Sequence, residues 1–229
     1  MINQAALAQG AGGPERRSTM RKRIAVMKGD GIGPEIVNEA LKVLETVASK
    51  YGHHFAYNFV DIGGVAIDNH GTPLSQATID ACLEADSVLL GAVGTPKYGS
   101  DKPAEQRPET ALLAIRKDLG LFVNLRPAML RPALVDTCPL RKETAEKGID
   151  LIICRELTGG VYFGKRDRYQ TEDRGEEATD LMAYSEMEIE RIGRRAFELA
   201  RLRRKKVTSV DKANVLETSR LWRSVMHRL

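Results

Sequence analysis

Apolar positions recur along this chain first at the spacing of a strand and then at that of a helix. RIAVMK (23–28) is a short apolar run ending in GDGIGP (29–34), which predicts a strand and a tight turn. Pro34 suits the first helical position, where its missing N–H is no loss. Apolar residues then fall at 36, 37, 40, 41, 43, 44 and 47, one face of a helix. HFAYNFVDI (54–62) predicts a strand, Pro73 opens a helix through Ala85, and SVLLGAV (87–93) predicts a strand buried on both faces. A helix is expected over 108–120 and strands over 121–130 and 149–157. A Ser185–Glu188 capping box starts a helix running to about Arg203. KKVTSV (205–210) predicts a strand and NVLETSRLWRSVMHRL a closing helix.

Alternating strands and helices imply an α/β fold, a largely parallel sheet with flanking helices. Residues 1–20 are expected to be a disordered tail, 21–125 part of a first α/β domain and 126–229 part of a second. The last helix reaches Leu229 without a capping signal, and VTSV has nothing after it to cover its far side. The fold is therefore expected to be incomplete at its C-terminus.

Composition narrows the classes. Of 229 residues, 42% are apolar and 29% charged, the balance of a folded rather than a disordered chain. Lys and Arg number 35 against 31 Asp and Glu, a formal charge of +4. The basic bunch from Arg191 to Lys206 is interleaved with or flanked by Glu188, Glu190 and Glu198, so it reads as a solvated helix face and not a nucleic-acid patch. Aromatic residues at 5% are too few for base-stacking platforms, and no apolar run approaches a membrane span. Cys82, Cys138 and Cys154 are odd in number and widely spaced, which favours a reducing, cytoplasmic setting over a disulfide frame or a zinc site. The histidines have no ligand spacing, so no metal ligand is assigned.

Several residues point to chemistry. GDGIG lacks the G-x-G-x-x-G spacing of a dinucleotide loop, and its glycines read as a tight turn. Arg126 and Arg155 lie in strands that read as core, where a guanidinium must find an anion; its planar fork suits a carboxylate. Glu156 adjoins Arg155 but points to the opposite face of the strand, and Arg116, on the preceding helix, is placed to join the arginines. Lys212 follows VTSV at the carboxyl end of a strand. It is either a base, with its pKa lowered to roughly 7–8, or the partner of Asp211 in a turn. Tyr162, among the glycines of TGGVYFG, either offers its hydroxyl to a cleft or is a core tyrosine bonded to a carbonyl.

GDGIGPEI, RPETALLAIRKDLGLFVNLRPA, RELTGGVYFG and SVDKANVL, in this order, resemble the 3-isopropylmalate dehydrogenase branch of the β-decarboxylating dehydrogenases, over about Arg21 to Leu229. The resemblance implies a fold distinct from the Rossmann enzymes. It also implies a place in leucine biosynthesis: a 2-hydroxy diacid is oxidised by hydride transfer to NAD and the resulting β-keto acid loses CO2. On this resemblance Arg116, Arg126 and Arg155 hold the substrate carboxylates, and Tyr162 delivers a proton to the enol. Lys212 helps deprotonate the alcohol from the neighbouring subunit of a homodimer. Asn214 lies near the nicotinamide, and the stretch from Gly94 to Glu109, with Thr95, Pro96 and Lys97, binds cofactor. Leu112, Leu113 and Val215 resemble the apolar wall that accepts an isopropyl group, worth on the order of 1–3 kcal/mol of discrimination against isocitrate. The family's Mg2+ or Mn2+ aspartates and its adenosine-binding loop correspond to positions beyond Leu229. Asp167, Asp173, Glu176 and Glu177 lie in what reads as a solvated polar loop, no replacement for them. The expectation is the N-terminal portion of such an enzyme, inactive alone. The alternatives are a non-catalytic or accessory chain and a dehydrogenase for isocitrate or tartrate.

Overall fold

A computed structural model describes residues 19–99 and 101–229. The expected tail lies outside the described residues except for Thr19 and Met20, and Met20 already accepts a backbone bond from His54 at 2.8 Å. The chain divides between Gly120 and Leu121 into two compact units.

The first unit is an α/β layer built on β1 (Arg21–Gly29), which pairs in parallel with β2 (His54–Phe59) on one side and β3 (Ser87–Ala92) on the other. Strand alternation sends the residues of β1 to two cores. Ile24 and Val26 pack with Val37 of α1 (Gly33–Tyr51), while Ala25 and Met27 pack with Ile62, Cys82, Ala111 and Ile115. The last three belong to α3 (Gln76–Glu84) and α4 (Pro108–Asp118). Among the described strands of this sheet β1 is the one buried on both faces; β3 pairs there with β1 alone and is half-buried, not the fully buried strand expected.

Two details differ from the sequence pattern. The helix expected from Pro73 starts at Gln76, because the Ser75 hydroxyl caps Thr78 N–H at 3.2 Å and the Pro73 carbonyl is taken by Gly63 N–H. Before it lies an unexpected short helix, α2 (Gly64–His70), too brief to show a period in sequence.

The glycine-rich turn after β1 is structural, as read. Gly29 has φ +69, and a Cβ there would collide with the Ala92 carbonyl of β3. Next to it, Asp30 is buried and its carboxylate accepts three backbone N–H groups, from Gly64, Val65 and Gly94, each at 2.9 Å. One side chain thus ties the exit of β1 to the start of α2 and to the segment leaving β3.

The second unit pairs its strands antiparallel, which the strand–helix alternation does not predict. β4 (Val123–Met129) runs against β5 (Asp150–Glu156), joined by a 3-10 stretch (Pro132–Thr137) and the single turn α5 (Lys142–Ala145). α6 (Glu186–Arg201) begins with the expected capping box and ends where Arg203 and Arg204 clamp Asp150 at 2.6 and 2.7 Å. α7 (Glu217–Arg228) packs on α6. The acidic stretch read as a solvated loop is a hairpin of β6 (Arg166–Thr171) and β7 (Gly175–Asp180), in which Tyr169 stands opposite Glu177 and donates to it at 2.7 Å, and Arg168 pairs diagonally with Glu176 at 3.7 Å. Residues 205–210 form no ladder among the described residues, so the strand expected there is not paired.

Removing the Asp30 carboxylate leaves three N–H groups without their acceptor. Asp30→Ala is expected to cost about 3 kcal/mol in urea unfolding. Arg203 and then Arg204 hold the Asp150 carboxyl below the ordinary carboxylate range. A lowered pKa stabilises the fold above the unfolded value and ceases to do so as pH falls through the folded one. The difference in urea midpoint between the wild type and Asp150→Asn should therefore be full at neutral pH and vanish in acid.

Candidate functional site

In the first unit four of the sequence-predicted site residues lie on one stripe. Glu109, Leu112, Leu113 and Arg116 follow the i, i+3, i+4, i+7 spacing of a single helix face of α4, beside the buried stripe of Pro108, Ala111 and Ile115. Leu112, Leu113 and Arg116 are half-buried, so the two leucines are not part of the buried core. The segment entering α4 carries Gly94, Thr95, Pro96 and Lys97. Lys97 is held by Asp68 of α2, to which Tyr98 also donates, at 2.6 Å; this bond raises the Lys97 pKa and lowers that of Asp68. Asp68 has no sequence signal, because its partner is set by where α2 falls.

The cofactor that the resemblance implies can be tested against these residues. Gly94 sits at φ +127, and a Cβ there would come within 3.2 Å of the Glu109 carboxylate. A bare backbone, the Thr95 hydroxyl and an exposed carboxylate are gathered at one turn. That donor set fits the vicinal hydroxyls of a ribose. A metal ion is not fitted: among the described residues no group of three His, Cys, Asp or Glu side chains could hold one.

In the second unit the β4–β5 register decides which side chains meet. Arg155 stands opposite Asn124 and Arg126 opposite Ile153, so the two arginines lie on one face of the ribbon as diagonal neighbours, a backbone spacing of typically about 7–8 Å. Arg126 Nε donates to Asn124 Oδ1 at 3.2 Å. Neither arginine has a carboxylate partner among the described residues. Both are exposed, which corrects the expectation that burial forces an anion upon them; the ribbon is covered on its other face only. There Glu156, its side chain 2% exposed, pairs with Arg191 of α6. Arg191 also donates to Thr158 at 2.6 Å and lies 4.9 Å from the Phe122 ring centroid. Leu157 N–H and the Thr158 hydroxyl complete the cradle around Glu156.

Tyr162 lies on the loop after β5, with Arg155 Cζ 5.3 Å from its ring centroid. It is exposed, so it is not the core tyrosine of the alternative reading. Arg155 and Tyr162 line a cavity of about 490 Å3 together with Asp211, Ser219, Tyr184 and Trp222. Tyr184 packs edge-on against Trp222 at 5.8 Å, and burial, reinforced by Glu156, raises its pKa. These two aromatics were not singled out in the sequence, since a lone aromatic beside a helix carries no pattern.

Lys212, Asn214 and Val215 are exposed on the loop before α7 and do not line that cavity. Asp211 is engaged by Arg223, at 2.7 and 3.1 Å, and not by Lys212; that pair lowers its pKa. The loop is gripped by the first turns of α7: Lys212 N–H donates to Ser219 Oγ at 3.0 Å, Arg220 to the Ala213 carbonyl at 3.1 Å, and Trp222 Nε1 to Ser209 Oγ at 3.1 Å. The Lys212 ammonium has no ion pair among the described residues.

The chain belongs to the isocitrate/isopropylmalate dehydrogenase family, whose model matches residues 23–229. Among curated relatives it is 57% identical over 205 residues to the 3-isopropylmalate dehydrogenase of Moorella thermoacetica, covering 89% of this chain and 57% of the relative. It is 52% identical over 206 residues to that of Priestia megaterium, covering 90% and 55%. The chain thus spans about half the length of the curated relatives it matches. Among solved structures it is similar to the isocitrate dehydrogenase of Methylococcus capsulatus, with TM-score 0.71, 29% identity and coverage of 90% of this chain and 56% of that one. A β-decarboxylating dehydrogenase from Thermococcus kodakarensis gives TM-score 0.64 at 29% identity, with coverage of 90% and 53%. No helix among the described residues is long and apolar enough to cross a membrane.

Truncating one partner of a buried pair strands the other. Glu156→Gln is expected to cost about 1–3 kcal/mol in urea unfolding, near the low end because Arg191 keeps some access to solvent. The double variant Glu156→Leu/Arg191→Leu should recover part of that loss.

Proposed function

We propose that this chain carries the substrate-recognition part of an NAD-dependent β-decarboxylating dehydrogenase acting on 3-isopropylmalate, a step of leucine biosynthesis in the cytoplasm. The observation that carries the reading is the pair of guanidiniums, Arg126 and Arg155, without carboxylate partners on one face of β4–β5, with Tyr162 stacked on the second. Two like charges placed side by side are destabilising unless an anion joins them, and a carboxylate accepts both forks. On the family likeness Arg116 is assigned to the substrate carboxylates, and Leu112, Leu113 and Val215 to the branched alkyl group. Thr95 and Glu109 hold a ribose of the cofactor. NAD, when bound, accepts the hydride. Tyr162 is exposed enough to pass a proton to the carbon left by CO2, and Lys212, presented by α7 with a free ammonium, removes the alcohol proton in a neighbouring subunit of a homodimer. The residues described provide no site for the Mg2+ or Mn2+ that the family likeness implies.

A second reading, an isocitrate-type substrate, draws on the structural likeness to an isocitrate dehydrogenase. The half-buried Leu112 and Leu113 favour the branched apolar substrate, since a third carboxylate would lose its hydration against them.

Trp222 is the single tryptophan of the chain and lines the cavity shared by Arg155 and Tyr162, so its fluorescence reports occupancy. Titration with 3-isopropylmalate should give a saturable change, weakened at least tenfold by Arg155→Gln; an identical curve for that variant refutes the reading. The isolated chain should show no NAD-dependent turnover even with Mn2+.

A further inference from the structure

The paired glycines ahead of Tyr162 make room for one side chain. A Cβ on Gly159 would come within 3.2 Å of Tyr184 Cδ1, and one on Gly160 would collide with the Tyr184 hydroxyl. The Tyr184 ring therefore rests against bare backbone. Gly160 N–H also donates to the carbonyl of Ala183, at 2.9 Å, so the loop is bonded to the residue before the ring as well as packed on the ring itself. On the other side of Tyr184, the N–H and hydroxyl of Ser185 both donate to Glu188, at 2.7 and 2.8 Å, and the capping box leaves the backbone there little freedom.

The same ring meets Trp222 of α7 edge-on, with 76° between the planes. Trp222 belongs to the grip of α7 on the second loop: its indole N–H holds Ser209, while one turn earlier Ser219 takes the Lys212 N–H. Both aromatics border the cavity shared with Arg155 and Tyr162. We infer that Tyr184 is a positioning residue that holds the Tyr162 loop and the Lys212 loop as one body, its ring wedged between the Gly159–Gly160 backbone and the Trp222 indole. For the roles of Tyr162 and Lys212 this rests on the proposed function. There Tyr162 works in its own subunit and Lys212 in the neighbouring one, so a single aromatic contact sets an acid and a base that serve two different sites. A rigid ring with two rotatable bonds suits the task, because it fixes the spacing of the loops at small entropic cost.

Amide exchange of the chain, with no diacid present, tests this. The amides of Lys212, Ala213, Val215 and Leu216 are bonded to groups other than Tyr184. Tyr184→Leu should speed their exchange at least about fivefold, and Trp222→Leu should do the same to the Gly160 and Phe163 amides of the other loop. The double variant should be no faster at either place than the more affected single one, the signature of one shared contact. Tyr184→Phe, which keeps the ring, should stay within about twofold of the wild type. The β4–β5 ladder amides, which report a general loss of stability, should change less than the loops do. Should the leucine variants not fold, Ser209→Ala removes the indole's acceptor at an exposed position and should still speed Gly160 and Phe163. The proposal is overturned if each variant loosens its own loop alone, if the two effects add, if Tyr184→Phe behaves as Tyr184→Leu does, or if the ladder amides speed up as much as the loops. Because no substrate takes part, these outcomes stand apart from the failure of diacid binding.

Discussion

One peptide step on β5 organises the second unit. Neighbouring strand residues cannot share a face, and Glu156 is drawn inward by Arg191, Thr158 and the Leu157 amide. Arg155 is thereby turned outward onto the face that also carries Arg126. A slip of one residue would bury Arg155 under α6 and expose Glu156, leaving a guanidinium facing Arg191 in a partly dry setting, which is costly. The buried pair therefore fixes register, and register fixes the site. In the proposed reading, stability and recognition are therefore coupled through geometry, with no contact needed between Glu156 and the diacid.

Asp30 does for the first unit what Glu156 does for the second. A carboxylate accepting three backbone N–H groups acts like a short strap across three chain segments that sequence separates widely. The strap sets the conformation from which the Gly94–Lys97 segment departs, and Asp68 then secures Lys97 further along. In both units a buried acid touches the backbone beside groups assigned to function in the proposed reading: Asp30 accepts the Gly94 N–H, and Glu156 adjoins Arg155.

Much of the fold was legible because it rests on local rules. The apolar run of β1, the Pro34 helix start and the Ser185–Glu188 capping box each follow from a few adjacent residues, and each appears where the pattern places it. The alternating strands and helices gave the parallel sheet of the first unit. The short α2 and the β6–β7 hairpin were not legible. The first has too few residues for a period, and the second is polar on both faces, so that pairing is specified by cross-strand charges and not by an apolar stripe. The exposure of Arg126 and Arg155 was not legible for a related reason. The apolar letters around Arg126 and Arg155 mark a strand, but whether both its faces are covered depends on what packs above it.

The amino-acid sequence alone determined the residue types at the site, the order of the motifs and the family they resemble, since each is carried by adjacent letters. Only the tertiary structure decided which of these residues share a face. Arg126 and Arg155 lie 29 positions apart in the chain by their numbering, and the antiparallel register of β4 and β5 is what makes them neighbours. It also decided that Asp211 belongs to Arg223 and that, among the described residues, Lys212 has no ion pair. Such pairings depend on distances between segments that packing brings together, and no local pattern of hydrophobic and polar residues encodes them.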